Sequence, residues 1–331
     1  MATKEATKSW HERALELETE GFRPCEIHRM MQEEGAWEPF TYHALIQYLV
    51  RQRKKIPVQT QHATPEHTVK PVVVQNQEPG YFKTDWSGAT TLKIAIMGDT
   101  QLGSKYAQLT YLHHFYNLCE SEGIKDVYHT GDLVEGLKMR VGHEYELYRV
   151  SADEMVQDVI LNYPRRPGIT THFITGNHDA SIYKQVGFDI GYAVADKRPD
   201  MQYLGRDAAV VYLTPNCKLE LRHPWDGSAY AISYKPQKMI EAMESDSKPN
   251  ILAIGHYHKA EYLFYRNVHC LQTGCFQSQT PFTRGKGISV HMGGWIVTIT
   301  VDTDGTILSF APKFIPYYAA IKDDYRAYLK R

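Results

Sequence analysis

The sequence predicts an α/β protein in which two sheets pack face to face between outer helices, preceded by a small all-α domain. Three observations support this fold class. Strand-like and helix-like segments alternate over residues 92–174, later segments are mostly strands separated by turns, and residues 8–50 show a helical rhythm of apolar residues. With 331 residues, 43% of them hydrophobic, the chain can bury one sizeable core and still form a smaller unit.

Composition and charge exclude several classes of protein. The net charge of −1 gives no overall attraction to nucleic acid or membranes, so any basic surface must be local. No segment approaches the length of a membrane-spanning apolar run, and residues 1–6 lack the apolar region of a signal peptide. We therefore expect a soluble, cytoplasmic protein with no membrane partner. The five cysteines are scattered without a CxxC pair, which argues against a disulfide framework and a thiolate zinc site.

Residues 8–50 predict three short helices separated at Gly21 and Gly35, with Thr41 suited to cap the third. Each helix has an apolar face: Trp10, Ala14, Leu15 and Leu17 in the first, Ile27, Met30 and Met31 in the second, and Ala44, Leu45, Tyr48 and Leu49 in the third. The segment resembles the small helix-turn-helix domains of recombinases and regulators, in which the third helix reads DNA. The resemblance implies groove contacts by Thr41, Tyr42, His43 and Gln47, and phosphate contacts by Arg51, Arg53, Lys54 and Lys55.

A three-helix cap on the main domain, or a protein-binding module, is the alternative, because the first two helices are acidic. We expect this helix-turn-helix-like domain to cover residues 1–55. Residues 56–90, rich in Gln, Pro, Thr and Val, predict a linker without regular structure. The main domain would then cover residues 91–331.

In the main domain, strands are predicted at residues 92–97, 126–129 and 169–174, and helices at residues 106–122, 151–162 and 180–195. Such strand-helix repeats predict a largely parallel sheet flanked by helices. Further strands are predicted at residues 210–213, 218–222, 251–254, 261–265, 268–271, 295–301 and 306–311, with one helix at residues 236–245.

Polar side chains follow these strands: Asp99 and Gln101, Asp132, Asn177 with His178, His223, and His256 with His258. Because ligands bind at the carboxyl ends of strands in open α/β sheets, we expect these side chains to lie together. Carboxylate, amide oxygen and imidazole suit a pair of first-row divalent ions, which activate water and stabilise the oxyanions of phosphoryl displacement. A glycine precedes each ligand block (Gly98, Gly131, Gly176 and Gly255) and is predicted to turn the backbone sharply off its strand.

These motifs resemble those of the calcineurin-like metallophosphoesterases, including their DNA-repair nuclease branch. The matching blocks, in order, are Gly98-Asp99-Thr100-Gln101, Gly131-Asp132, Gly176-Asn177-His178-Asp179, His223 and Gly255-His256-Tyr257-His258. The resemblance covers about residues 91–310. It implies that Asp132 bridges two ions, that Asp99, Gln101 and His258 complete the first site, and that Asn177, His223 and His256 complete the second.

The same resemblance implies a catalytic role for His178. Its imidazole would bind the scissile phosphate or protonate the leaving oxygen, while Asp179 would fix its tautomer. A water or hydroxide between the ions would be the nucleophile. His143, in the loop of residues 135–146, could also reach the substrate.

Gln101 departs from the family pattern, because the nuclease and phosphodiesterase branches usually have histidine there. An amide oxygen is a weaker and harder ligand than imidazole, so we expect a looser first site that favours Mn²⁺, with Fe, Zn²⁺ or Mg²⁺ as alternatives. Gln101 could instead contact phosphate or water.

The motifs leave the substrate open. A helix-turn-helix-like domain would raise the local concentration of DNA at the active site. Residues 279–287 add Phe282, Arg284 and Lys286, which could follow a strand by stacking and charge, or could form a plain surface turn. The preferred interpretation is a Mn²⁺-dependent DNA phosphodiesterase, acting as a nuclease. The alternatives are a phosphatase or phosphodiesterase for a small nucleotide, and a DNA-binding scaffold with reduced activity. DNA is the expected partner, and a homodimer is a further option.

Overall fold

The computed structural model describes residues 9–20, 24–34, 40–53, 70–71, 80–245 and 247–329. The chain divides into two compact units, Met1–Glu66 and His67–Arg331. None of the described helices is long and apolar enough to cross a bilayer.

The first unit contains the three predicted helices, α1 (Trp10–Thr19), α2 (Pro24–Glu34) and α3 (Tyr42–Arg53). Their inward faces form an apolar core of Trp10, Ala14, Leu17, Ile27, Met31, Leu45 and Leu49. Thr41 caps α3, because its Oγ1 accepts a hydrogen bond from the Ala44 N–H at 3.1 Å. Packing of these apolar faces stabilises helices that would be marginal alone at this length.

The second unit is the predicted α-β-β-α sandwich. Its strands are β1 (Lys70–Pro71), β2 (Gly80–Lys83), β3 (Thr91–Met97), β4 (Asp126–His129), β5 (Thr170–Thr175), β6 (Met201–Arg206), β7 (Ala208–Thr214), β8 (Cys217–Arg222), β9 (Ile251–Ile254), β10 (Ala260–Tyr265), β11 (Val268–Thr273), β12 (Gly293–Val301) and β13 (Ile307–Pro316). Its helices are α4 (Leu109–Ser121), α5 (Ala152–Asn162), α6 (Asn177–Val186), α7 (Ile190–Lys197), α8 (Tyr234–Ala242) and α9 (Pro281–Gly285).

Within the described residues, one sheet has the strand order β13-β12-β3-β4-β5-β6 and the other has the order β1-β2-β7-β8-β9-β11-β10. Side chains such as Ile96, Val211 and Leu271 fill the space between the sheets. A second cluster packs the outer face of the six-stranded sheet against helices, and Ile240 of α8 packs on the seven-stranded sheet. Burying each such large aliphatic side chain stabilises the fold by about 1.5–3 kcal/mol.

Strand direction brings the predicted ligand blocks together. β3, β4 and β5 are mutually parallel, and β8 is parallel to β9. The segments after these strands therefore leave the sandwich at the carboxyl ends of their sheets, where the predicted ligands lie.

The structure corrects several predicted elements. The helix expected at residues 180–195 is two helices, because Gly187 adopts φ +69° and ends α6, while the Asp189 side chain caps α7. Residues 80–83, placed in the linker, form β2, which pairs with β7 and buries Phe82. Strand β6 and helix α9 were not predicted.

Candidate metal centre

The structure brings all seven predicted ligands into one connected cluster. Asp132, His223 and His256 offer ligand atoms that all lie within 4.8 Å of one another. Asn177 Oδ1 lies 3.0 Å from His223 Nε2 and 2.8 Å from His256 Nδ1. Gln101 Nε2 lies 3.2 Å from Asp132 Oδ2. The His256 N–H donates to both Asp99 oxygens at 3.0 Å, and His258 Nε2 lies 3.4 Å from Asp99 Oδ1. Oxygen and nitrogen donors thus face one another in this cluster.

The backbone at this cluster adopts a conformation that residues other than glycine rarely take. Left-handed φ values occur at Asp99 (52°), Gln101 (51°), Asp132 (54°), His256 (78°) and His258 (54°). Each such residue costs on the order of 1–3 kcal/mol, and the surrounding structure has to supply that energy. Five of the seven predicted ligands are therefore aimed by strained backbone, which no pattern of residue types in the sequence revealed.

Three of the four glycines before the ligand blocks serve a different purpose from the predicted one. Only Gly131 has a left-handed φ, at +97°. At Gly176, a Cβ atom would lie 2.3 Å from Asp132 Oδ1 and 2.6 Å from His223 Nε2. At Gly98, it would lie 2.2 Å from the Thr130 Oγ1. These glycines are needed because neighbouring groups approach their backbone closely.

Three backbone carbonyls fix the tautomers of three site histidines. His223 Nδ1 donates to the Thr130 carbonyl at 2.7 Å, and His256 Nε2 donates to the Asp226 carbonyl at 2.7 Å. His178 Nδ1 donates to the Glu135 carbonyl at 2.6 Å. Because a carbonyl can only accept, the nitrogen beside it carries a proton in each ring, and the other nitrogen faces the site, where it can hold a proton or bind an ion. Backbone carbonyls have no signature in the sequence, so these contacts were not predicted.

Two buried polar atoms in the cluster have no protein partner, Gln101 Oε1 and His258 Nδ1. A buried acceptor without a hydrogen bond is costly, so a cation near Gln101 Oε1 would remove that cost. Gln101 is fully buried, and it is not among the residues that line the neighbouring cavity. The residues present therefore fit a pair of divalent ions, with Gln101 positioned as a ligand better than as a phosphate contact.

His223 and Asp132 form the electrostatic centre of the cluster. Burial alone would lower the pKa of His223, but the carboxylates of Asp132 and Asp99 outweigh it and raise that pKa to about 9. Burial alone would raise the pKa of Asp132, but His223 and His178 hold it well below its ordinary range. His223 Nε2 lies 3.2 Å from Asp132 Oδ2, and a metal ion would replace the proton between them.

Asp179 does not support His178, contrary to the predicted role. Its carboxylate accepts hydrogen bonds from the N–H groups of Gly176 at 2.8 Å, Val134 at 2.9 Å and Leu133 at 3.2 Å. Burial and the nearby Asp132 charge raise the pKa of Asp179 to about 7. Asp179 therefore ties the loop after β4 to the start of α6, which places Asp132 next to His178.

His143 is fully buried and cannot reach a substrate, which corrects the prediction for this residue. Its Nδ1 accepts from the Met139 N–H at 3.3 Å, so its Nε2 donates to Glu135 Oε1 at 2.9 Å. The other Glu135 oxygen accepts from the Gln277 amide. This hydrogen-bonded network clamps Glu135, whose carbonyl orients His178. Glu135 and Gln277 were not predicted as site residues.

A cavity of about 430 Å³ opens directly over the cluster. Asp132, His178, His256 and His258 are among the residues that line it. Arg140, Phe282 and Lys286 also line it, and the Arg140 guanidinium stacks 4.4 Å from the Phe282 ring centroid. Two of the predicted strand-tracking residues, Phe282 and Lys286, are therefore in the cavity lining, whereas Arg284 is not. We call this space the metal-site cavity.

The predicted DNA contacts of the first unit lie partly outside the described residues. Within α3, His43 and Gln47 are exposed and hydrogen-bond to each other at 2.8 Å. Thr41 is exposed and caps the helix. The side chains of Tyr42, Arg51 and Arg53, and the whole of Lys54 and Lys55, lie outside the described residues.

Comparison with known proteins identifies a family for the second unit. The family model for calcineurin-like phosphoesterases matches residues 92–260. Curated protein sequences give no significant match.

Solved structures similar to this chain include three of low sequence identity. An archaeal phosphodiesterase is 14% identical to this chain with a TM-score of 0.39, and the matched region covers 68% of this chain and 100% of the archaeal chain. Zinc-complexed Vps29 from Entamoeba histolytica is 14% identical with a TM-score of 0.33, covering 69% of this chain and 100% of its own. A hypothetical protein from Pyrococcus horikoshii is 11% identical with a TM-score of 0.42, covering 72% of this chain and 92% of its own.

Proposed function

The chain belongs to the calcineurin-like phosphoesterase family, and from this premise we propose that it is a metal-dependent phosphodiesterase that cleaves DNA. One observation supports the proposal above the others. The metal-site cavity opens onto three of the predicted metal ligands, Asp132, His256 and His258, and onto His178, and its lining combines cations with an aromatic ring. That combination suits a phosphodiester flanked by bases.

In the proposed arrangement, Asp132 would help to hold both divalent ions. Asp99, Gln101 and His258 would hold one ion, and Asn177, His223 and His256 would hold the other. When bound, the ions would activate a water molecule and neutralise charge on the phosphoryl oxygens. Mn²⁺ suits a site in which an amide oxygen replaces an imidazole.

His178 acts on the substrate in this proposal. Its Nδ1 is committed to the Glu135 carbonyl, so Nε2 is the atom that faces the cavity, 4.0 Å from Asp132 Oδ2. A protonated Nε2 would donate to a phosphate oxygen or to the departing 3′ or 5′ oxygen. Arg140, held by Glu146 at 2.5 Å, would offer its positive charge to a flanking phosphate.

The first unit would add affinity for DNA. His43 and Gln47 lie one turn apart on the exposed side of α3, where a recognition helix presents its base contacts. Replacing both with alanine should weaken DNA binding by the full chain. Gln32→Ala, at an exposed position of α2, is the matched control and should leave binding unchanged. Equal affinity of all three proteins would remove this role.

Purified full-length protein with Mn²⁺, tested on single-stranded DNA, double-stranded DNA and bis-p-nitrophenyl phosphate, checks the proposal. We expect cleavage of the small diester and of DNA, abolished by EDTA. Hydrolysis of bis-p-nitrophenyl phosphate without any cleavage of DNA would reject the nuclease and favour a small nucleotide as substrate. Hydrolysis of neither would reject the phosphodiesterase.

A further inference from the structure

The metal-site cavity continues into a second cavity of about 470 Å³, which we call the outer cavity. Ser228, Tyr257, Lys286 and Ile288 line both spaces, so they form one continuous path away from the metal ligands. Each volume lies at the low end of the range for one small ligand, about 300–1,000 Å³. The path therefore has room for more than the single diester at the metal centre.

The charged side chains that line the outer cavity are all basic. The described residues that line it include Lys235, Lys259, Lys286 and His291, and no carboxylate. Lys259 Nζ donates to the carbonyl and the hydroxyl of Ser289, both at 2.6 Å, so its partners are neutral and its charge is uncompensated. Lys235 is paired with Asp226, which lies in the metal-site cavity. Among the described residues, none forms an ion pair with Lys259 or Lys286, so a polyanion would find these two cations uncompensated.

Aromatic rings accompany these cations along the path. Tyr257 lies in the stretch shared by both cavities and is fixed there, because its hydroxyl donates to Asp226 Oδ1 at 2.5 Å. Tyr230, in the lining of the outer cavity, is fully exposed, and Phe282 is exposed in the metal-site cavity. Cations interleaved with aromatic rings bind single strands, because unpaired bases stack on the rings while the lysines follow the phosphates.

We propose that the outer cavity binds single-stranded DNA that continues from the scissile phosphate. The proposal rests on the phosphodiesterase function proposed above and adds to it the form of the substrate. Lys259 and Lys286 contact phosphates beyond the cleaved one, and Tyr230 stacks on an unpaired base. A base pair would hide the faces that these rings bind, so a duplex must open before it can enter the path.

Binding of fluorescein-labelled oligothymidylate to metal-free, full-length protein, followed by fluorescence anisotropy, tests the cavity without turnover. Lys259→Gln should weaken binding about tenfold, the loss expected for one charged hydrogen bond. It should also reduce the slope of log affinity against log salt by about 0.7. Lys259→Arg should restore most of the affinity, and Lys125→Gln, at an exposed position outside both cavities, is the matched control.

Turnover with Mn²⁺ separates failure of this inference from failure of the proposed function. For Lys259→Gln, kcat/KM should fall at least about tenfold more on oligothymidylate than on bis-p-nitrophenyl phosphate. Equal losses on both substrates, or unchanged anisotropy, would overturn the outer cavity as a strand site while leaving the phosphodiesterase intact. Equal or tighter binding of blunt duplex DNA would overturn the preference for single strands, and tighter binding of oligouridylate would overturn DNA as the ligand.

Discussion

Replacing His178 with alanine should reduce turnover while leaving the metal ligands in place. The imidazole is anchored through Nδ1 to the Glu135 carbonyl, and its side chain retains 18% exposure toward the cavity. The backbone N–H of residue 178 donates to Asp132 Oδ1 at 2.9 Å, and an alanine keeps that bond. The substitution therefore removes Nε2 from the substrate without removing support from Asp132.

The expected loss of kcat follows from the proton transfer that His178 Nε2 would carry out. A positioned general acid contributes about 10²–10⁴-fold to the rate, so kcat on DNA should fall within that range. A p-nitrophenolate leaving group needs no proton, whereas a sugar alkoxide does. If His178 protonates the leaving oxygen, His178→Ala should reduce kcat less on bis-p-nitrophenyl phosphate than on DNA, and the two reductions should differ by a factor of about ten or more.

The assay compares kcat on both substrates and counts bound Mn²⁺ by elemental analysis. His178→Ala should bind as much Mn²⁺ as the unchanged protein. His114→Ala is the control, because His114 lies on α4 outside the cavity and bonds to the Tyr317 hydroxyl. Full activity of His178→Ala on DNA would refute the catalytic role. Equal losses on both substrates would refute leaving-group protonation and favour a contact to phosphate.

Three further predictions follow from the geometry of the site. Gly176→Ala should lower Mn²⁺ affinity at least about tenfold, because the new Cβ displaces Asp132 and His223. Gly285→Ala is the control, because its Cβ would lie in open space and should leave the affinity unchanged. Calorimetry measures both affinities, and an unchanged affinity of Gly176→Ala would contradict this prediction. Since the pKa of His223 is about 9, metal binding at pH 7 should release about one proton and weaken about tenfold for each unit of pH lowered below 9. Calorimetry in buffers of different ionisation enthalpy measures the number of protons released. If no proton is released, His223 is already neutral before the metal binds. Glu135→Ala should lower kcat about 10–100-fold while the protein still binds Mn²⁺, and Glu135→Gln should restore part of the lost kcat. Loss of Mn²⁺ from Glu135→Ala would instead assign Glu135 a structural role at the ions.

Much of the fold and of the ligand set was predictable from the sequence, because both depend on residue type and period. Buried strands are apolar runs, and Asp99, Asp132 and Asn177 follow three of them directly. The break at Gly187 was missed, because the apolar rhythm resumes at Ile190 in α7 and hides the turn. The strand at residues 80–83 was missed because it lies in a stretch whose Gln- and Pro-rich composition predicted a linker.

The parts of the site that escaped prediction depend on the backbone. Carbonyls of Thr130, Glu135 and Asp226 orient the histidines, and any residue type supplies a carbonyl. The left-handed backbones at Asp99 and Asp132 follow from the way the loops leave the sheets. Asp179 was assigned to His178 through the family resemblance, but three N–H groups hold its carboxylate elsewhere.

Anomalous diffraction from crystals grown with Mn²⁺ tests the two-ion centre most directly. Two peaks about 3.5–4 Å apart are expected on either side of Asp132, with Gln101 Oε1 within bonding distance of the ion next to His258. A single peak at Glu135, His143 and His178, whose ligand atoms also lie within 4.8 Å of one another, would contradict the assignment of ligands and the role of His178.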